Sequence, residues 1–264
     1  MSEYIPQRAM FICAHPDDLE FGVAGTAAKW AKNGTEVTYV LLTDGNAGSH
    51  QKGMTKAKLA EIRRAEQERA AAITGVQKCI FLGYDDGLLE NSLHLRKELV
   101  RLIREYRPNV VACMDPTNFF PSDTYINHPD HRASGPAALD AVFPAAEMPL
   151  LYPDFDAEGL QPHKVNHVYL FFTNEANYYV DITDTIDLKI KALGEHKSQF
   201  DDWDPTERIK SWSQETGKIV GFKHAERFRR ITLKEPEEMT EEDAPAADGE
   251  DIGQEMEAEL MTES

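Results

Sequence analysis

The chain has 264 residues, 41% hydrophobic and 28% charged, enough to bury a sizeable core without disulfide or metal staples. Glycine (16) and proline (14) are near average usage, which excludes collagen-like and wholly disordered classes. A net charge of −18 argues against non-specific nucleic-acid binding, which needs an excess of Lys and Arg on the phosphates.

Along the chain, short apolar runs alternate with amphipathic stretches. Residues 9–14 read as a buried strand, and 25–32 as a helix closed by the stop signal Asn33-Gly34. A second strand spans 37–42, with no polar alternation beyond Thr38, as expected where both faces are covered. Residues 54–74 form a long helix that Gly75 ends, followed by a strand over 79–82. Leu95, Leu99, Leu102 and Ile103 mark the next helix, which Pro108 breaks, and 110–114 is another strand. Strand and helix alternating at this spacing imply right-handed crossovers. The fold class is α/β, with a mostly parallel sheet.

The second half is less regular. Helical spacing covers 131–142, 186–200, 207–214 and 223–229, with Gly217 and Gly221 as breaks, and strands are expected at 165–172 and 178–182. Beyond them, thirteen of the 46 acidic residues lie between Glu235 and Ser264, a segment without Lys, Arg or any aromatic. Residues 1–234 thus carry a net charge of only about −5 and read as one domain. Residues 235–264 read as a disordered, solvating tail.

Cys13, Cys79 and Cys113 are an odd number without CxxC spacing, and each sits in an apolar run as a small core residue. The N-terminal residues lack the apolar stretch of a secretory signal, and no run approaches the ~18 apolar residues of a membrane span. These features point to the cytoplasm, with no membrane or nucleic-acid partner. Oligomeric state is open, a homo-oligomer included.

In an open parallel sheet, ligands bind beyond the carboxyl ends of the strands, where strand order reverses. The first strand runs into Ala14-His15-Pro16-Asp17-Asp18, and the second into Thr43-Asp44-Gly45-Asn46. Asp115 ends a third, ahead of a loop carrying Asn127-His128-Pro129-Asp130-His131. An imidazole and a carboxylate three positions apart can converge on one ion, and zinc (Zn2+) accepts both ligand types. His15 and Asp18 fit that pattern, with His131 or His128 as third ligand and Asp17 left free as a base. Magnesium, which prefers oxygen ligands alone, suits the histidines less well. Asp44 and Asn46 are candidates to line the pocket. Trp203 and Trp212 read as packing residues, with a sugar platform as the alternative, and His196 as a capping or supporting residue. His94, His163, His167 and His224 carry no functional reading.

The segments AHPDDLEFGVAGT, TDGNAGS, Arg63-x-x-Glu66, FLGYDDG, NHPDHR and KIKALGEHKSQF occur in that order. Over roughly residues 9–232 the chain resembles the LmbE-like, PIG-L-type zinc-dependent N-deacetylases. The resemblance implies a Rossmann-like, three-layer α/β/α fold. It also implies hydrolysis of an N-acetyl group from an N-acetylglucosamine-containing small molecule. By motif, His15, Asp18 and His131 correspond to the zinc ligands and Asp17 to the general base. His128 corresponds to the residue that stabilises the oxyanion or protonates the leaving amine, Asp130 to the carboxylate that orients it, and Arg63 to a substrate contact. A tyrosine that some members place two residues before the first His of HPDH is replaced by Ile126. Either Tyr125 substitutes for it, or zinc and His128 carry the developing charge.

Two other classes compete. A zinc amidase cleaving a larger acyl group or a thiol-sugar conjugate would share the site. A non-enzymatic nucleotide-binding module would need GxGxxG after the first strand, where HPDDLEFG stands instead.

Overall fold

Strands apolar on both faces, as Arg8–Cys13, Val110–Met114 and His167–Phe171 are, must lie between two layers, and they form the centre of a seven-stranded sheet. The computed structural model describes residues 4–200 and 203–234. The strands are β1 (Arg8–Cys13), β2 (Glu36–Thr43), β3 (Lys78–Tyr84), β4 (Val110–Met114), β5 (His167–Phe171), β6 (Tyr178–Asp181) and β7 (Ala225–Thr232). They join in the order β3-β2-β1-β4-β5-β7-β6. All neighbours from β3 to β5 are parallel, while β7 runs antiparallel between β5 and β6. The helices are α1 (Asp18–Gly22), α2 (Ala24–Lys32), α3 (Lys56–Thr74), α4 (Leu93–Tyr106), α5 (Pro129–Asp140), α6 (Asp154–Ala157), α7 (Ile186–Leu193) and α8 (Thr206–Val220). No described helix is long and apolar enough to cross a membrane.

Side chains of β1 alternate between the two faces, which is the period-2 geometry of a pleated strand. Ala9, Phe11 and Cys13 pack with Leu19, Trp30, Ala71 and Leu193 from α1, α2, α3 and α7. Met10 and Ile12 pack with Leu95, Leu99 and Ile103 of α4 and Ala137 and Ala138 of α5. Each fully buried aliphatic or aromatic side chain contributes about 1.5–3 kcal/mol. The two cores make the expected three-layer, mostly parallel α/β/α fold, and residues up to Leu233 form one compact unit. The tail expected at residues 235–264 lies outside the described residues.

Three expected elements differ. The helix expected at 186–200 ends at Leu193, and a short 3-10 turn, Lys197–Gln199, follows. The helix expected at 207–214 runs on to Val220, through Gly217 rather than stopping there. A Cβ at Gly217 would stand 2.5 Å from the Phe222 carbonyl oxygen, so glycine serves close backbone approach at that point. Residues 223–229 belong to the strand β7, not to a helix. Its many charges hide the pattern, in which Ala225 and Phe228 are buried and Glu226 enters a buried ion pair with Lys189 at 2.5 Å.

The order β3-β2-β1-β4-β5 reverses direction between β1 and β4. The crevice beyond those two strand ends is where such a sheet binds ligands. The HPDD segment follows β1, and the loop into α5 follows β4. Helix α5 begins with Pro129 at its first turn, and the His128 Nδ1 accepts the Asp130 N–H at 3.2 Å as its cap. Gly135 lets this helix settle on the end of β4, since a Cβ there would lie 2.7 Å from the Met114 carbonyl oxygen. That contact brings His131 to the mouth of the crevice.

Candidate active site

His15, Asp18 and His131 converge at the switch point. The His15 Nδ1 lies 3.3 Å from the His131 Nε2 and 3.3 Å from an Asp18 carboxylate oxygen, and the His131 Nε2 lies 3.1 Å from the other Asp18 oxygen. Bonds of about 2.0–2.2 Å at tetrahedral angles separate ligand atoms by roughly 3.3–3.6 Å, close to the 3.3 Å between the two ring nitrogens and to the distance from each ring to its nearer Asp18 oxygen. The remaining ring nitrogens are occupied. The His15 Nε2 faces Asp130 at 3.1 Å and Asp86 at 3.3 Å, and the His131 Nδ1 faces the Asn127 Oδ1 at 3.1 Å. An acceptor at one nitrogen places the proton there and leaves the lone pair of the other free for a metal. Both histidines can thereby offer their other nitrogen to a metal beside Asp18. Burial works against the Asp18 charge, yet His131 and His15 hold its carboxyl well below the usual carboxylate range.

Asp130 occupies a different place from the one the resemblance implied. Its carboxylate accepts the N–H groups of Gly87 at 2.7 Å and Leu89 at 3.1 Å and orients His15. Its distance to the His128 Nδ1 is 3.9 Å, and only its backbone N–H holds that ring. Asp86 joins the cluster from the loop after β3. Sequence reading gave it no role, although a paired acid followed by Gly87 at a strand end carried the same signal as HPDD. Burial opposes its charge, but His15 and the Ala47 N–H hold its carboxyl down to about 2. Asn46 supports this loop: its Oδ1 accepts the Asp86 N–H and its amide donates to Asp85.

Asp17 adjoins Asp18 but is not part of the His15, Asp18 and His131 cluster. Its backbone takes φ +91°, a left-handed conformation that costs free energy in a non-glycine residue. The Gln67 Oε1 accepts the Asp17 N–H at 3.0 Å, and Arg63 donates to its carboxylate at 3.0 Å. Burial pushes the Asp17 carboxyl up to about 6, against the pull of Arg63 and with the help of the Asp18 charge. Arg63 is 3% exposed, and its guanidinium also donates to the Gly45 and Pro16 carbonyl oxygens. It thus ties Asp17 to the loops after β1 and β2. Behind it, the Gln67 amide donates to Glu20 at 2.9 Å, and Glu20 pairs with the buried His196 at 3.2 Å. Replacing Gln67 by Leu leaves the Asp17 N–H and one Glu20 oxygen unpaired. We expect a loss of about 1–3 kcal/mol per stranded group, read as a lower urea midpoint; an unchanged midpoint would show that this network does not hold the turn.

His128 is half-exposed beside these groups, its ring edge-on to His15 with centroids 4.7 Å apart. Burial and the neighbouring His15 lower its pKa, so it stands as a neutral imidazole. Its Nδ1 accepts a backbone N–H, which leaves the proton on the Nε2. Next to His131, Phe172 adopts φ +54°, an outlier for a bulky residue, and stacks nearly parallel to the imidazole at 6.2 Å. A cavity of about 1070 Å³ opens on Asp18 and His131 and passes Phe172 and Tyr125. Tyr125 is 54% exposed in its wall.

The family model described as "PIG-L: GlcNAc-PI de-N-acetylase" matches residues 10–142, a span that holds His15, Asp17, Asp18, Arg63, Asp86, His128, Asp130 and His131. A diacetylchitobiose deacetylase from Thermococcus kodakarensis is 36% identical over 234 residues, covering 85% of this chain and 83% of the relative. The chain belongs to the PIG-L family. The crystal structure of N,N'-diacetylchitobiose deacetylase from Pyrococcus horikoshii, bound to the inhibitor MPG, superposes with a TM-score of 0.80. Its identity is 35%, over 86% of this chain and 84% of that one. A probable N-acetyl-alpha-D-glucosaminyl L-malate deacetylase 2 from Bacillus anthracis is 31% identical, covering 74% of this chain and 82% of the relative. The expected membership among deacetylating amide hydrolases is thereby shown.

Proposed function

We propose that this protein is a zinc-dependent hydrolase that removes the N-acetyl group from an N-acetylglucosamine-containing small molecule, releasing acetate and a free amine. The observation that carries the reading is the convergence of the His15 and His131 imidazoles and the Asp18 carboxylate, of which Asp18 and His131 line a large cavity. Relatives named for deacetylating diacetylchitobiose and a glucosaminyl malate support the substrate class. Two nitrogens and one oxygen suit zinc better than magnesium or calcium, and three protein ligands are the pattern of catalytic zinc sites. His15, Asp18 and His131 hold the ion, which when bound supplies Lewis acidity that activates water and polarises a carbonyl at neutral pH.

The residues of the chain carry the proton traffic. An acetamide is a poor electrophile, so attack by water needs a base at the moment the C–O bond forms. Asp17 accepts that proton; its carboxyl, pushed up to about 6 by burial, is a better base than a solvated aspartate. Arg63 and Gln67 fix its direction. The Nε2–H of His128 donates to the oxygen on which charge develops. When the C–N bond breaks, the leaving amine takes the proton that Asp17 received from the water, and acetate departs. Tyr125 and Phe172 line the approach of the sugar. We place the protein in the cytoplasm, where Cys13, Cys79 and Cys113 remain free thiols.

The direct test is to incubate zinc-loaded protein with diacetylchitobiose and measure acetate and primary amine. Equal molar release of both is expected. Absence of acetate, with hydrolysis only of longer acyl or thiol-sugar amides, would contradict this reading.

A further inference from the structure

The cavity does not end at the metal-binding groups. It continues along one face of α8, where Arg208, Trp212, Thr216 and Ile219 follow each other at helical spacing. Pockets for drug-sized ligands span about 300–1,000 Å³, so a cavity of about 1070 Å³ holds more than the one acetamido ring placed at Asp18 and His131. The α8 end is the part that such a ring leaves open.

Two tryptophans stand near this region with equal exposure, 44%, but different surroundings. Trp203 packs edge-on against Phe200 at 5.5 Å and is not among the residues lining the cavity. Trp212 lines it, and the Arg208 guanidinium lies 4.6 Å from its ring centroid, one helical turn earlier. The cation–π contact covers part of the indole and restrains its rotamer. A restrained, half-exposed indole loses little entropy when a ligand stacks on it. Its flat apolar face matches the axial C–H bonds of a hexopyranose, while the Arg208 N–H groups can reach ring hydroxyls.

We propose that Trp212, backed by Arg208, is the platform for the second sugar ring of the substrate, the ring next to the one that loses its acetyl group. Preference for a disaccharide over a monosaccharide is then set on α8, away from the reacting bond. This inference rests on the deacetylase reading above.

Steady-state kinetics of the full-length, zinc-loaded protein on diacetylchitobiose and on N-acetylglucosamine test it. Aromatic stacking is worth about 0.5–1.5 kcal/mol, so Trp212→Ala should raise KM for the disaccharide about 2- to 12-fold with kcat nearly unchanged. KM for the monosaccharide should not move, and Trp212→Phe should recover most of the disaccharide loss. Independently of turnover, titration with chitobiose should change the tryptophan fluorescence of the wild type and leave that of Trp212→Phe unchanged. Equal effects on both sugars, or none on either, would overturn the platform. A change in oligomeric state without a change in KM would overturn it too, and would make Trp212 a contact between copies. A wild type inactive on both sugars would overturn the deacetylase reading itself, whereas an active wild type with insensitive variants rejects only Trp212.

Discussion

Alanine at His15, Asp18 or His131 should each strip zinc from the protein, while His128→Ala should keep the metal and lose turnover. The two ring nitrogens stand 3.3 Å apart and each lies 3.1–3.3 Å from one of the two Asp18 oxygens, so removing any one residue leaves a two-ligand site. Outer-shell substitutions typically cost 10- to 100-fold in metal affinity, and loss of a direct ligand should exceed about 100-fold. Asp130→Ala belongs to the smaller class. Its carboxylate fixes the His15 tautomer at 3.1 Å without facing the point where the three lone pairs meet. His128 is tied to the Asp130 backbone N–H and has its Nε2 4.0 Å from Asp86, outside the three-atom cluster. Metal content after dialysis, measured beside turnover, checks the series. If His128→Ala loses metal and His131→Ala keeps it, the two roles are exchanged.

The second large effect separates the two neighbouring aspartates. Asp17→Asn keeps the size of the side chain and an oxygen for Arg63, but removes the proton acceptor. Loss of a general base typically costs about 10²–10⁴-fold, or about 3–5 kcal/mol in the barrier, so turnover should fall by that much with zinc retained. Asp18→Asn instead exchanges a charged ligand for a neutral one, and occupancy should fall first. Excess zinc should restore part of the Asp18→Asn activity and none of the Asp17→Asn activity. Equal rescue would show that both aspartates bind metal.

Much of this site is legible in the sequence because its residues follow strands directly. A buried strand running into His15-Pro16-Asp17-Asp18 can only place those side chains at the carboxyl edge of the sheet, and the loop after β4 obeys the same rule. The partners of those residues are harder to read, since they depend on which loops meet in space. Asp130 reaches His15 only because the loop after β3 offers the Gly87 and Leu89 N–H groups to its carboxylate. Asp86 and Gln67 enter the site from elements 71 and 52 residues beyond His15, and no local spacing announces that. Arg63 shows the converse: the motif singles it out, and the fold buries it against Asp17. In the fold, β7 escapes a reading by periodicity. Its buried Glu226 sits where alternation calls for an apolar residue and is paid for by Lys189 and by the N–H groups of Gly25 and Thr26.

On the proposed function, His15, Asp18 and His131 hold a zinc ion on which amide hydrolysis depends. Acetate release from diacetylchitobiose, followed as zinc is returned to chelator-stripped protein with bound metal measured in parallel, tests it most directly. No turnover is expected in the stripped protein, with activity rising in proportion to zinc bound, up to one ion per chain. Full turnover by protein shown to be free of metal would contradict it.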